Sequence, residues 1–193
     1  MARPPNVIIL VITLQTLKTS AYPSGNVQAS CASMEPNHNV SAQSSQAPYS
    51  LEVSNTTYSI GENITVTLRS PAGTIFKGFM IQAREVKGST PLGTFIISSL
   101  DVQTLTCTTS ASAVSHTSRI NKTSIVVTWV PPSSHTSNIE IRATVVQDEY
   151  KYWKDIRSPK LTHSGTGGFQ LLAPAFSQLL FSTSALIFVL LKL

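Results

Sequence analysis

The sequence predicts an all-β fold, one domain built as an antiparallel β-sandwich. Three observations carry that prediction. About eight short runs rich in β-branched residues alternate apolar with polar positions. Clusters of Gly, Pro, Ser and Asn separate the runs. No window between the two ends of the chain keeps a helical period.

The elements follow in order. From Tyr22 to Ala47 the chain is rich in Ser, Pro, Asn and Gln, so it is expected to run as extended loop and turns held at Cys31. Tyr49, Leu51 and Val53 then alternate with polar residues, and Ile64, Val66 and Leu68 do so after the turn Gly61-Glu62-Asn63. Between Phe76 and Arg84 the period of two puts Phe79, Ile81 and Ala83 on one face and Met80, Gln82 and Arg84 on the other. Short strands are expected at Phe95 to Ile97 and Val102 to Cys107, followed by a Ser- and Thr-rich loop through Arg119. Ile125, Val127 and Trp129 form one face of a strand that Pro131-Pro132 ends, and Trp129 is expected in the core. Ile139, Ile141, Ala143 and Val145 form the next, and a last element carries Tyr150, Tyr152 and Trp153.

The two ends have a different character. Residues 1–21 have the pattern of a cleaved signal peptide: Arg3, an apolar run from Val7 to Leu17, then small residues before Tyr22. That run is too short for the ~20 residues needed to cross a bilayer. The C-terminal end is apolar, and a spacer at 161–178 leads to a tail at 179–193. Ser164 and Gly165 supply the small side chains wanted for attachment of a glycolipid anchor. The other expectation is a single transmembrane helix over 169–193, weakened by Gln170, Pro174 and Gln178 and by the lack of a basic cluster after it. Either outcome leaves residues 22–160 on the extracellular side of the plasma membrane; a secreted protein is the alternative.

Composition narrows the function. The formal charge is +5, but residues 22–164 hold 11 Lys and Arg against nine Asp and Glu, too even a balance for a nucleic-acid-binding face. Cys31 and Cys107 are the two cysteines, and in an oxidising secretory route they are expected to pair. A catalytic thiol is the other reading, and no redox or protease motif surrounds either residue. The bridge would contribute about 4 to 4.5 kcal/mol on the chain-entropy model. Asn39, Asn55, Asn63 and Asn121 each open an Asn-x-Ser/Thr acceptor triplet for N-glycosylation. No metalloprotease, serine-hydrolase or phosphate-loop motif occurs, so no enzyme activity and no cofactor are expected.

Cys31, Met34, Pro36 and His38 form a C-x-x-M-x-P-x-H pattern, followed in order by Lys77-Gly78-Phe79-Met80-Ile81-Gln82-Ala83-Arg84, Gly93-Thr94-Phe95, Cys107, Ser115-His116, Trp129 with Pro131-Pro132, and Tyr152-Trp153. This set resembles the reeler domain, the module that opens reelin, spondin-type matrix proteins and ferric-chelate reductase-like proteins. The resemblance covers Tyr22 to about Arg157. It implies an immunoglobulin-like sandwich with the two cysteines joined. Reductases of that type carry a further β domain and a haem-bearing helical bundle, for which this sequence has neither the apolar spans nor the inward histidines. Short, single-module insect proteins of the family, linked to innate defence, have a layout nearer to this one.

The resemblance implies a recognition or adhesion module whose partner is a cell-surface or microbial glycan or polymer, or another extracellular protein, with the membrane reached through the tail. Candidate ligand-binding residues are Lys77, Arg84, Lys87, Lys151, Tyr152 and Lys154, where basic and aromatic side chains together suit anionic polymers. His38 and His116 are weak metal candidates, because two imidazoles without a carboxylate or thiolate make a poor site. The alternative function is an accessory or truncated relative of the reductases in iron reduction.

Overall fold

The structure is a computed structural model that describes residues 22–134 and 137–164. The expected signal segment 1–21, Gly165 and the tail lie outside the described residues. Eleven strands follow one 3-10 turn at Gln28–Ser30. They are β1 (Ser50–Val53), β2 (Thr57–Tyr58), β3 (Ile64–Arg69), β4 (Gly78–Glu85), β5 (Thr94–Ile96), β6 (Val102–Leu105), β7 (Ala113–His116), β8 (Ser124–Val130), β9 (Ile139–Asp148), β10 (Lys151–Arg157) and β11 (Thr162–His163).

Alternation builds the first sheet, ordered β1-β3-β8-β5 with every pairing antiparallel. Ile64, Val66 and Leu68 of β3 and Ile125, Val127 and Trp129 of β8 are buried, while Thr65 and Val126 face outward. The second sheet, ordered β10-β9-β4-β7-β6, is also antiparallel throughout. The two sheets close on one core that includes Phe79, Ile81, Ala83, Ile141, Ala143 and Val145. Trp129 is fully buried there, its ring edge-on to Tyr58 with centroids 5.7 Å apart and its indole N–H donating to the Leu92 carbonyl at 2.9 Å. Each such side chain withdrawn from water stabilises the fold by roughly 1.5–3 kcal/mol.

Three strands fall where the sequence pattern gives no signal. β7 occupies a stretch expected to be loop; all four of its residues are buried, because it lies between β4 and β6 and is covered on both faces. A strand buried on both sides has no reason to alternate. β2 and β11 are two residues each and pair parallel, the exception among the described strands. Together they form a two-stranded sheet apart from the two that make the sandwich.

Register defines two ends. At one end, Leu161 bridges to Ile139, which pairs with Glu85 at the close of β4, and β11 lies beside β2. The last described strand, β11, ends here at His163. At the other end Gly78, which opens β4, pairs with Val146, and the β9–β10 turn follows. The β5–β6 and β7–β8 loops share that far end, since Val102 pairs with His116 and Phe76 bridges to Lys122. β4 has 8 residues, and at 3.2–3.4 Å per residue the two ends lie about 23 Å apart.

Candidate functional site

β4 is buried along both faces, and the cause is the N-terminal segment. Met80, Gln82 and Arg84 point away from the sandwich core, yet their exposures are 4%, 0% and 5%. Residues 22–47 cover them. Cys31 is joined to Cys107 with Cα atoms 5.5 Å apart, so the expected disulfide is present. Beside it the Arg84 guanidinium donates to the carbonyls of Cys31 at 2.7 Å and Ala32 at 3.1 Å, and to Gln82 Oε1 at 2.8 Å. Gln82 in turn donates to the Cys31 carbonyl at 3.0 Å. Thr144 of β9 donates to the Met34 carbonyl at 2.6 Å, and Met34 holds a left-handed backbone (φ 56) that turns the segment back across the sheet. Met34, Met80, Leu105 and Ala113 form a small second core beneath it. Gly25 is required where the segment meets β7: with φ +67, an added Cβ would stand 1.7 Å from the His116 carbonyl oxygen.

Toward the far end the segment does not lie flat, and it roofs a cavity of about 580 Å³. Tyr22, Val27, Met34, Pro36 and His38 form the roof, Gly78, Phe79, Met80, Thr144 and Val146 the floor, and Lys77, Arg119, Asp148, Glu149 and Tyr150 the far-end rim. His116 closes the base. Its Nδ1 accepts from the Phe79 N–H at 3.2 Å. Burial pushes the His116 pKa below its ordinary value, against an opposing hydrogen bond to the Phe79 backbone, with nearby Lys122 lowering it further. The imidazole is thus neutral near pH 7. Lys122 is itself buried, its ammonium donating to the carbonyls of Lys77 at 3.1 Å, Ser118 at 2.8 Å and Ile120 at 2.9 Å. Those three bonds fix the loop that carries Arg119.

A pH prediction follows. Above the unfolded-state pKa of 6.5 the neutral imidazole costs nothing; as pH falls below 6.5 the unfolded chain takes up a proton before the folded one does, and stability declines until the folded pKa is passed. Urea midpoints measured from pH 7.5 down to 5 are expected to fall more steeply for the wild type than for His116→Gln. Equal slopes would remove His116 as the cause.

The candidate residues distribute unevenly. Lys77 reaches the cavity rim, whereas Lys87 is exposed at the opposite end of β4, and the two share no face. Lys151 is exposed and lies over the Trp153 ring at 5.3 Å; Lys154 pairs with Glu35. Arg84 and Tyr152 leave the set of surface contacts. Arg84 is buried under the N-terminal segment, and Tyr152 is 3% exposed with its hydroxyl donating to the Val40 carbonyl at 3.3 Å. Both were candidates on side-chain type, as basic and aromatic groups suited to anionic polymers, but the segment that covers β4 and flanks β10 takes them out of solvent. His38 and His116 do line one cavity, and the buried Nδ1 of His38 has no protein partner. Among the described residues no group of three or more His, Cys, Asp or Glu is placed to hold a metal. Asn39, Asn55, Asn63 and Asn121 are all exposed, as is Ser164.

Sequence reasoning did not single out Tyr22, Val27, Phe79, Val146 or Tyr150 as a site. A signal for part of it was present: Met34, Pro36 and His38, and Lys77 to Met80, belong to two motifs 39 positions apart in order of chain that converge on one cavity. Nothing local in either stretch says that they meet.

Comparison with known proteins agrees with the fold. The reeler domain family model matches residues 29–168. Ferric-chelate reductase 1 of Mus musculus is 41% identical over 165 residues, which are 83% of this chain and 27% of that protein. This chain spans less than a third of the length of such reductases. A defense protein of Drosophila melanogaster is 31% identical over 150 residues, covering 76% of this chain and 91% of that one. The crystal structure of the Reelin-N domain of F-spondin, an isolated domain, superposes with a TM-score of 0.57 at 22% identity, covering 72% of this chain and 99% of that chain. Among the described residues no helix is long and apolar enough to cross a membrane. With the family model spanning most of the sandwich and the disulfide in place, the chain belongs to the reeler domain family.

Proposed function

We propose that this protein is a non-catalytic extracellular recognition module, held at the cell surface by its C-terminal tail, that binds a cell-surface or microbial glycan, polymer or protein in adhesion or defence. One observation carries the proposal. The cavity lies at the end of the sandwich opposite His163, where the last described strand closes, so a tether attached at that strand's end would present the cavity outward. A rigid sandwich that holds loops at one end is a common frame for recognition. Relatives described as defense proteins, which are about as long as this chain, support the same reading.

Residues 22–164 probed against a glycan and microbial-polymer array are expected to bind without haem. Absence of any ligand on the array or among extracellular proteins would sink the recognition role. For the tether, phosphatidylinositol-specific phospholipase applied to intact cells is expected to release the protein into the medium; retention would favour a transmembrane tail. Treatment with an N-glycosidase is expected to shift the electrophoretic mobility of the cell-derived protein, since all four acceptor asparagines are exposed. An unchanged band would show the sites unused.

The second reading, an accessory to iron reduction, is favoured by the 41% identity to a ferric-chelate reductase. It requires a haem protein to co-purify from detergent extracts, which the first reading does not.

A further inference from the structure

The cavity has a chemistry that narrows its occupant, on the reading that it is the recognition site. Its walls are apolar, drawn from Val27, Met34, Met80 and Val146. His116 at its base and His38 in its roof, whose buried Nδ1 has no protein partner, each offer its occupant single hydrogen bonds. A charged group at that depth would be strongly disfavoured. At about 580 Å³ it falls in the range of roughly 300–1,000 Å³ that encloses one small ligand.

The rim differs from the walls. Lys77 and Arg119 come from the segments before β4 and after β7, and among the described residues neither side chain forms an ion pair. Asp148, Glu149 and Tyr150 come from the β9–β10 turn. Two cations suit a phosphate, and two carboxylates beside an aromatic ring suit an alkylammonium. A head of one sign would meet repulsion from half of the rim. The surrounding loops are apolar at their tips: Leu100 is 97% exposed, Ile120 54% and Tyr150 69%. The Thr117 hydroxyl donates to the Leu100 carbonyl at 2.7 Å, which ties the first two loops together. Half of the large hydrophobic side chains that the described residues leave exposed therefore gather on this end.

We propose that the cavity binds one molecule of a single-chain amphiphile with a zwitterionic phosphate–ammonium head, its apolar chain between the N-terminal segment and β4–β9 and its head across the rim. The exposed loop tips then give the ligand an apolar path from a membrane or micelle into the cavity.

The test uses residues 22–164, which contain every described strand, the core and the disulfide, and correspond to a domain that crystallises alone in F-spondin. Isothermal titration with dodecylphosphocholine below its micelle concentration is expected to show one site per chain. Dodecyl sulfate and dodecyltrimethylammonium are expected to bind at least tenfold more weakly, and phosphocholine without a chain not measurably. Val146→Trp, which fills the cavity from β9, is expected to abolish binding while circular dichroism and thermal unfolding remain near wild type. The double variant Lys77→Gln, Arg119→Gln is expected to erase the preference for dodecylphosphocholine over dodecyltrimethylammonium. Failure of monomeric dodecylphosphocholine to bind, equal binding of the three dodecyl probes, or undiminished binding to a folded Val146→Trp overturns the proposal. So does binding to phosphatidylcholine vesicles without binding to the monomer, which would make the end a membrane-docking surface. If an array ligand binds and Val146→Trp abolishes it while the amphiphiles do not bind, the cavity stands as the recognition site and only its assigned occupant fails.

Discussion

Replacing both Cys31 and Cys107 by serine is expected to lower the unfolding free energy by about 2–5 kcal/mol, the usual loss for a native disulfide in a small secreted domain. The bridge closes a sequence separation of 76 residues and joins the N-terminal segment to the β6–β7 loop. Its removal acts twice. The unfolded chain gains entropy, and in the folded state the segment over β4 keeps only its hydrogen bonds and the small Met34, Met80, Leu105 and Ala113 core. Proteolysis under native conditions is therefore expected to begin within residues 22–47, well before the sandwich yields. The measurement is a urea midpoint for each protein with a timed protease digest. If the double variant is too poorly folded to purify, mild reduction of the wild type gives the same comparison. A midpoint unchanged and a segment still protected would show that the bridge does not hold the roof of the cavity.

The second large effect is expected at Arg84. Its guanidinium makes three hydrogen bonds at 2.7 to 3.1 Å while the residue is 5% exposed. Burial, then the neighbouring Arg142, pull its pKa below the ordinary value. Arg84→Met removes the donors and leaves the Ala32 carbonyl and Gln82 Oε1 without them, at about 1–3 kcal/mol for each group that water cannot reach. A total near 2–4 kcal/mol is expected. Arg84→Lys keeps a charge but cannot span the same acceptors with a planar fork, so it is expected to lie much nearer to Met than to the wild type. Chemical denaturation of the three proteins decides the matter. A surface residue would give changes within about 0.5 kcal/mol, which would return Arg84 to the set of ligand contacts.

Arg84 also shows how much of this protein is legible in its sequence. The period of two along β4 separates Phe79, Ile81 and Ala83 from Met80, Gln82 and Arg84, and the structure keeps that separation. What alternation cannot tell is whether the second face meets water or another part of the chain. The same limit explains β7, where Val114, Ser115 and His116 carry too little apolar contrast to be seen as a strand. It explains Tyr152 as well: its ring belongs to an element readable from sequence, but the carbonyl that receives its hydroxyl lies 112 positions away. β3 and β8 are the opposite case. Each buries one face against the core, and their alternation was sufficient to place them.

Local pattern and composition by themselves determined the class of fold, its single pair of cysteines and the core position of Trp129. Those properties depend on neighbours in the chain, through the pleat of a strand and the turn residues that stop it. The tertiary structure alone decided that residues 22–47 cross the outer face of the second sheet, that Arg84 and Tyr152 are interior, and that His38, Lys77, His116 and Tyr150 border one cavity. Contacts of that kind join residues tens of positions apart, and their free energy comes from burial and from hydrogen bonds between distant segments, which no local period encodes.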